Sequence, residues 1–190
     1  MKKVPVFGIA LAVLAYIVMA VLASTSGLIH PVCYAYSGTV LPLFWGMSYL
    51  YSAANIRRFG AAALLNGASL IAALLIGEND PVLITGTIVL AVIAEIIRKL
   101  CGYDTIKGVR LSFIPLAFTF YSFVAHWWTD TEGSLEEAVE IMPSGYADKM
   151  EIVIGNVSLL AVMLVLVIPA AVIGMRIAEK VMKKQAAVLV

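Results

Sequence analysis

Residues 78–99 read ENDPVLITGTIVLAVIAEIIRK: two carboxylates and a proline, then an apolar run, then two adjacent cations. The run at 81–97 is near the short limit for a helix crossing about 30 Å of hydrocarbon. Working outward, the same pattern recurs at 4–23, 32–54, 61–77, 111–128 and 152–175, each segment bounded by charged or turn-forming residues. Gly38, Pro42 and Gly46 interrupt the second segment. The chain of 190 residues is 62% hydrophobic and 13% charged, with mean hydropathy +0.99. An ordinary soluble domain carries about 25% charged residues. The reading is an all-α integral membrane protein with six transmembrane helices in a single membrane domain, residues 1–190. No room remains for a separate catalytic domain.

Lysine and arginine near span ends stay in the cytoplasm. Six spans put both termini on one side, and that side collects 12 of the 13 Lys and Arg residues, leaving only Lys149 opposite. Glu78, Asp80, Asp130, Glu132, Glu136, Glu137, Glu140, Asp148 and Glu151, nine of the 12 carboxylates, fall on the other side. Both termini are therefore expected to be cytoplasmic, and the chain to be a multi-pass membrane protein. A rival for the first segment is a cleaved secretory signal after Met1-Lys2-Lys3, but a run of 20 residues exceeds the usual h-region of about 7 to 15.

Several chemistries are excluded or disfavoured. A net charge of +1 gives no reason to expect nucleic acid. No phosphate-binding loop, zinc-peptidase helix or serine-hydrolase elbow occurs. His126 and Asp130 stand four residues apart without a partner nucleophile, so no enzymatic activity is expected. Cys33 and Cys101 fall on opposite sides and have no metal-ligand spacing; neither a disulfide, a metal nor another cofactor is expected.

Polar side chains inside apolar spans mark function, because burying them in lipid is costly. Ser112, Pro115, Thr119, Ser122 and His126 form one stripe on the fifth segment, with Tyr121, Phe123, Trp127 and Trp128 at its external end. The two tryptophans read as an interfacial belt or as cavity wall. Asn156, on the sixth segment, reads as a cavity residue or as an interhelical hydrogen bond. For Asn66 and Ser69 packing is favoured, and for Glu95 a local ion pair with Arg98 or Lys99, or snorkelling, over a proton site.

The external connections add two features. Residues 24–38, with His30, Pro31, Tyr34 and Tyr36, suit an irregular segment dipping into the protein. Residues 129–150 are acidic, and Ser134-Leu-Glu-Glu137 is a capping box that should start a helix through Met142, turned by Pro143-Ser-Gly-Tyr146. Such a loop between the fifth and sixth spans reads as a lid, or simply as a solvated loop. Small residues at four-residue spacing, Gly8 with Ala12, Ala63 with Gly67, and Ala170 with Gly174, suit internal packing or a contact with a partner subunit.

Four stretches carry a family resemblance: Arg57-Arg58-Phe-Gly60-Ala-Ala-Ala63; Ala94-Glu95-Ile-Ile-Arg98 leading to Gly102-Tyr103; the Trp-rich end of the fifth segment; and Gly174 with Lys183-Lys184. With these the chain resembles the substrate-binding S component of an energy-coupling factor (ECF) transporter, within the Trep_Strep or MptD-type group. The resemblance implies partners: a T subunit and two ATPase subunits that release the ligand inward. Residue 2 is Lys where the cobalt and nickel relatives have His, which sets the chain apart from that metal-carrying branch. It does not specify the ligand.

The expected function is capture of a vitamin-sized or other small organic compound from outside. The substrate-binding residues would be His30, Tyr34, Tyr36, Thr119, Ser122, His126, Trp127 and Asn156, with the aromatics stacking on a ring and the polar groups fixing its orientation. The alternative is a self-sufficient secondary transporter or channel, although no three-plus-three internal repeat is visible.

Overall fold

Proline and glycine set where each helix begins and ends. In the computed structural model, which describes residues 5–189, the described chain is helical with no strand. The expected start of the first segment at residue 4, with Lys2 and Lys3, lies outside the described residues. Helix α1 spans Val6–Thr25 and continues as a 3-10 turn to Leu28. The second apolar segment becomes α2 (Pro31–Val40) and α3 (Pro42–Asn55), divided where Pro42 has no N–H to offer the helical ladder. Helix α4 (Ala61–Leu75) follows the positive-φ Gly60, and α5 (Pro81–Cys101) starts on an Asp80 cap.

The fifth segment is three pieces: α6 (Ile106–Ala117), α7 (Thr119–Val124) and α8 (His126–Thr129). Pro115 lies inside α6, and two residues later the helix ends in a tight turn, Phe118 N–H donating to the Pro115 carbonyl at 3.1 Å. A hairpin of α9 (Thr131–Ile141) and α10 (Tyr146–Met150) turns through Gly145, φ +78°. Helix α11 (Val157–Val181), the short α12 (Lys183–Ala186) and a 3-10 turn at Ala187–Leu189 follow.

Among the described residues three helices are long and apolar enough to cross a membrane, Val6–Leu28, Pro81–Cys101 and Val157–Val181, and Ala61–Leu75 is a shorter apolar helix. Their outer faces carry large exposed hydrophobics such as Leu14, Ile88, Val92, Val165 and Ile173, the pattern of helices that meet lipid.

The core lies where α3 crosses α1, α6 and α11. Tyr16 stacks on Trp45 at 4.2 Å, and the indole donates to the Tyr16 carbonyl at 3.0 Å. Asn66 joins four helices: it accepts from Tyr16 Oη at 3.1 Å and donates to Thr119 Oγ1 at 2.9 Å and the Thr87 carbonyl at 3.1 Å. The packing reading of Asn66 therefore holds. Gly8 and Ala12 also turn inward: a Cβ on Gly8 would collide with the Tyr51 phenol, and Ala12 is buried. The partner-contact reading of that pair gives way to internal packing.

Glu95 departs from the local ion pair expected of it. It is 2% exposed, and its Oε1 accepts from the Ala62 and Ala63 amides at 2.8 and 3.4 Å, at the start of α4. Arg98, fully buried, donates instead to the carbonyls of Ala53, Ile56 and Tyr103 at 3.2, 3.2 and 2.6 Å. An anion thus meets the amide end of α4 and a cation the carbonyl end of α3, each matching the local helix dipole. These are two of the stretches on which the family resemblance rests.

Candidate functional site

At the end of the bundle away from Glu95 and Arg98, α9 and α10 roof a cavity of about 600 Å³. Its walls come from the end of α1 (Ser24, Gly27, Leu28), from Tyr34 of α2, from the turn 77–81, and from His126 and Trp127 of α8. The hairpin contributes Asp130, Ser134, Glu137, Ala138, Tyr146 and Met150 among others. The volume is within the range of small-molecule sites.

The roof is tied down at several points. Tyr146 Oη donates to the Gly27 carbonyl at 2.9 Å, and burial pushes the phenol's pKa up, which keeps it a donor. Ser134 Oγ donates to the His126 carbonyl at 3.2 Å, and Gly155 N–H, at φ +69°, donates to the Trp127 carbonyl at 3.0 Å. The helix expected in the 129–150 loop exists but begins earlier than the capping box implied. Asp130 caps it by accepting from Gly133 N–H at 3.2 Å, and Ser134 sits inside its first turns.

One wall is aromatic. Tyr34 stands edge-on between Phe120 at 5.6 Å and Trp127 at 5.1 Å. Trp127 is 5% exposed, and its indole N–H has no hydrogen-bond partner among the described residues; the His126 imidazole has none either. The rim is acidic: Glu78, Asp80, Asp130 and Glu137 line the cavity, and no Lys or Arg does so among the described residues. Asp80 is engaged as the α5 cap, accepting from Val82 and Leu83 N–H, whereas Glu78 and Glu137 have no side-chain partner among the described residues.

Of the expected binding residues, the structure brings Tyr34, His126 and Trp127 to the cavity and places the others elsewhere. His30 caps α2, its Nδ1 accepting from Val32 N–H at 3.2 Å. Tyr36 packs half-buried against the core. Thr119 belongs to the Asn66 network, and Ser122 is buried against Gly86, where a Cβ would lie 2.5 Å from its hydroxyl. Asn156 is exposed and caps α11, accepting from Leu159 N–H at 3.0 Å. Ala63 and Gly67 line a second, smaller crevice between α4 and α5. Sequence reasoning missed Glu78, Asp80, Glu137 and Tyr146 as cavity residues, although the charge sorting had already put the three carboxylates on one side.

A family model described as a hypothetical bacterial integral membrane protein (Trep_Strep) matches residues 2–187. No curated protein and no solved structure matches the chain.

Proposed function

This chain belongs to the Trep_Strep family of bacterial integral membrane proteins, and we propose that it is the substrate-binding S component of an ECF-type importer. In this reading the helical segments cross the membrane six times, both ends of the chain are cytoplasmic, and the cavity opens outward. The observation that carries it is the roofed cavity of about 600 Å³ with an aromatic wall and unpaired polar groups at one end of the bundle. The acidic rim favours neutral or positively charged small organic compounds over anions. The chain carries no phosphate-binding loop, so energy would come from a partner T subunit and two ATPase subunits.

The experiment is uptake into proteoliposomes of the compound recovered from the purified protein. Binding is expected with the chain alone, and accumulation only when T and ATPase subunits hydrolyse ATP. Accumulation by the chain alone on an ion gradient would replace this reading with a secondary transporter.

His126→Ala is expected to weaken binding by about 1 to 3 kcal/mol, since the ligand group it meets is left unpaired. That corresponds to roughly 5- to 150-fold, and calorimetry should show it with little change in melting temperature. Thr119→Val should do the opposite. It removes a hydrogen bond to Asn66, lowers stability by about 1 kcal/mol, and leaves affinity unchanged, as a thermal melt and a titration on the same sample would reveal.

A further inference from the structure

The crevice between α4 and α5 is separate from the roofed cavity. It holds about 160 Å³ and is lined by Phe59, Ala63, Gly67, Ala91 and Glu95, with Thr87 and Leu70 at its far end. Small residues hollow it out: a Cβ built on Gly67 would meet nothing within 4 Å. Flanking Phe59, Ile88 and Val92 are exposed, so the crevice opens to the side of the bundle, where lipid lies.

One observation gives the crevice a chemistry. Only one oxygen of buried Glu95 is engaged, by the α4 amides; its Oε2 has no partner among the described residues. A carboxylate oxygen left buried and unpaired is costly, and the group that complements it is a cationic N–H donor. Position supplies the rest. Glu95 lies level with the first residues of α4, beside the turn carrying Arg57 and Arg58, and one turn before Arg98 and Lys99. Thr87 lies eight residues earlier on α5, about 12 Å deeper at about 1.5 Å per residue. An occupant must therefore be charged at the interface and apolar below it.

The geometry points to an amine-headed phospholipid, its ammonium donating to Glu95 and an acyl chain lying over Ala63, Gly67 and Ala91. An ethanolamine headgroup supplies N–H donors, whereas a choline headgroup has the same charge and none. The site does not depend on the proposed transport role.

The test is native mass spectrometry of the full chain released from vesicles of equimolar phosphatidylethanolamine, phosphatidylcholine and phosphatidylglycerol with identical acyl chains. Wild type should retain phosphatidylethanolamine over phosphatidylcholine by roughly tenfold, the scale of one charge-assisted hydrogen bond. Glu95→Gln should abolish that preference. Gly67→Leu, which fills the crevice from the α4 side and leaves the Glu95 carboxylate in place, should lose the retained lipid while melting no lower than wild type, so the site stays testable if the Glu95 variant fails to fold. Equal retention of the two headgroups by wild type would overturn the proposal. So would an unchanged lipid pattern in Gly67→Leu, the result expected if a partner's transmembrane helix were the true occupant.

Discussion

Arg98→Ala is expected to be among the most damaging single substitutions in the chain, costing about 3 kcal/mol or more. Arg98 is fully buried and spans three backbone carbonyls, two from the end of α3 and one from Tyr103, with its guanidinium carbon 5.3 Å from the centre of the Tyr103 ring. Each hydrogen bond to a charged group is worth about 1.5 to 3 kcal/mol. Truncation removes all of them and leaves buried carbonyls facing a void. Lysine offers a point charge without the planar fork, so Arg98→Lys should fall between wild type and alanine. Thermal unfolding in detergent, followed by the loss of monomer on a sizing column, reads the order. Equal melting temperatures for wild type and Arg98→Ala would mean that the carbonyls are satisfied some other way.

Gly174→Ala should be nearly as severe, through sterics rather than charge. Helix α11 crosses α3 so closely that a Cβ on Gly174 would run into the Pro42 carbonyl oxygen and lie 2.8 Å from Leu43 Cα. Across the contact, a Cβ on Gly46 would lie 2.8 Å from the Gly174 carbonyl oxygen. These obstacles are backbone atoms, which cannot rotate away as a side chain would. Overpacking costs about 1 to 3 kcal/mol, and a crossing held by backbone on both helices belongs at the top of that range. Gly67→Ala supplies the internal contrast. The new methyl meets nothing within 4 Å, so ordinary helix propensity should make it about 0.5 to 1 kcal/mol stabilising. Opposite shifts in melting temperature for these two glycine-to-alanine changes are the expected result; a drop of the same size in both would contradict the close-crossing account.

These two sites also show how far the sequence could be read. Apolar runs ending in Arg98-Lys99 or Lys183-Lys184 announce helices because hydrophobic length and charge are local properties. The Ala170–Gly174 spacing announced a close contact but not its partner, which lies some 130 residues away at Pro42. Glu95 and Arg98 sit at helical spacing, so a local ion pair was the natural expectation. The competing claim came from the ends of α3 and α4, whose free carbonyls and amides are visible only once those helices are packed beside α5.

The binding site was legible in part for a similar reason. A single helical phase was assumed through Ser112, Pro115, Thr119, Ser122 and His126, but Pro115 and the turn at Phe118 divide that segment. Ser112 and Thr119 then meet neighbouring helices, Ser112 bonding Tyr49 at 2.5 Å and Thr119 bonding Asn66, and only His126 reaches the cavity. Asn156 was expected a turn inside the sixth helix. Gly155 breaks the chain just before it, so α11 starts at Val157 and Asn156 becomes its exposed cap.

The measurement that bears most directly on the proposed binding role is mass spectrometry of small molecules extracted from the protein purified out of its native membranes. The account predicts one organic compound of vitamin size, neutral or cationic, near one per chain, and strongly reduced in His126→Ala purified in parallel. An anionic compound, or one retained equally by His126→Ala, would contradict the assignment of the site. Recovery of no bound compound from protein that melts cooperatively would contradict the binding role itself.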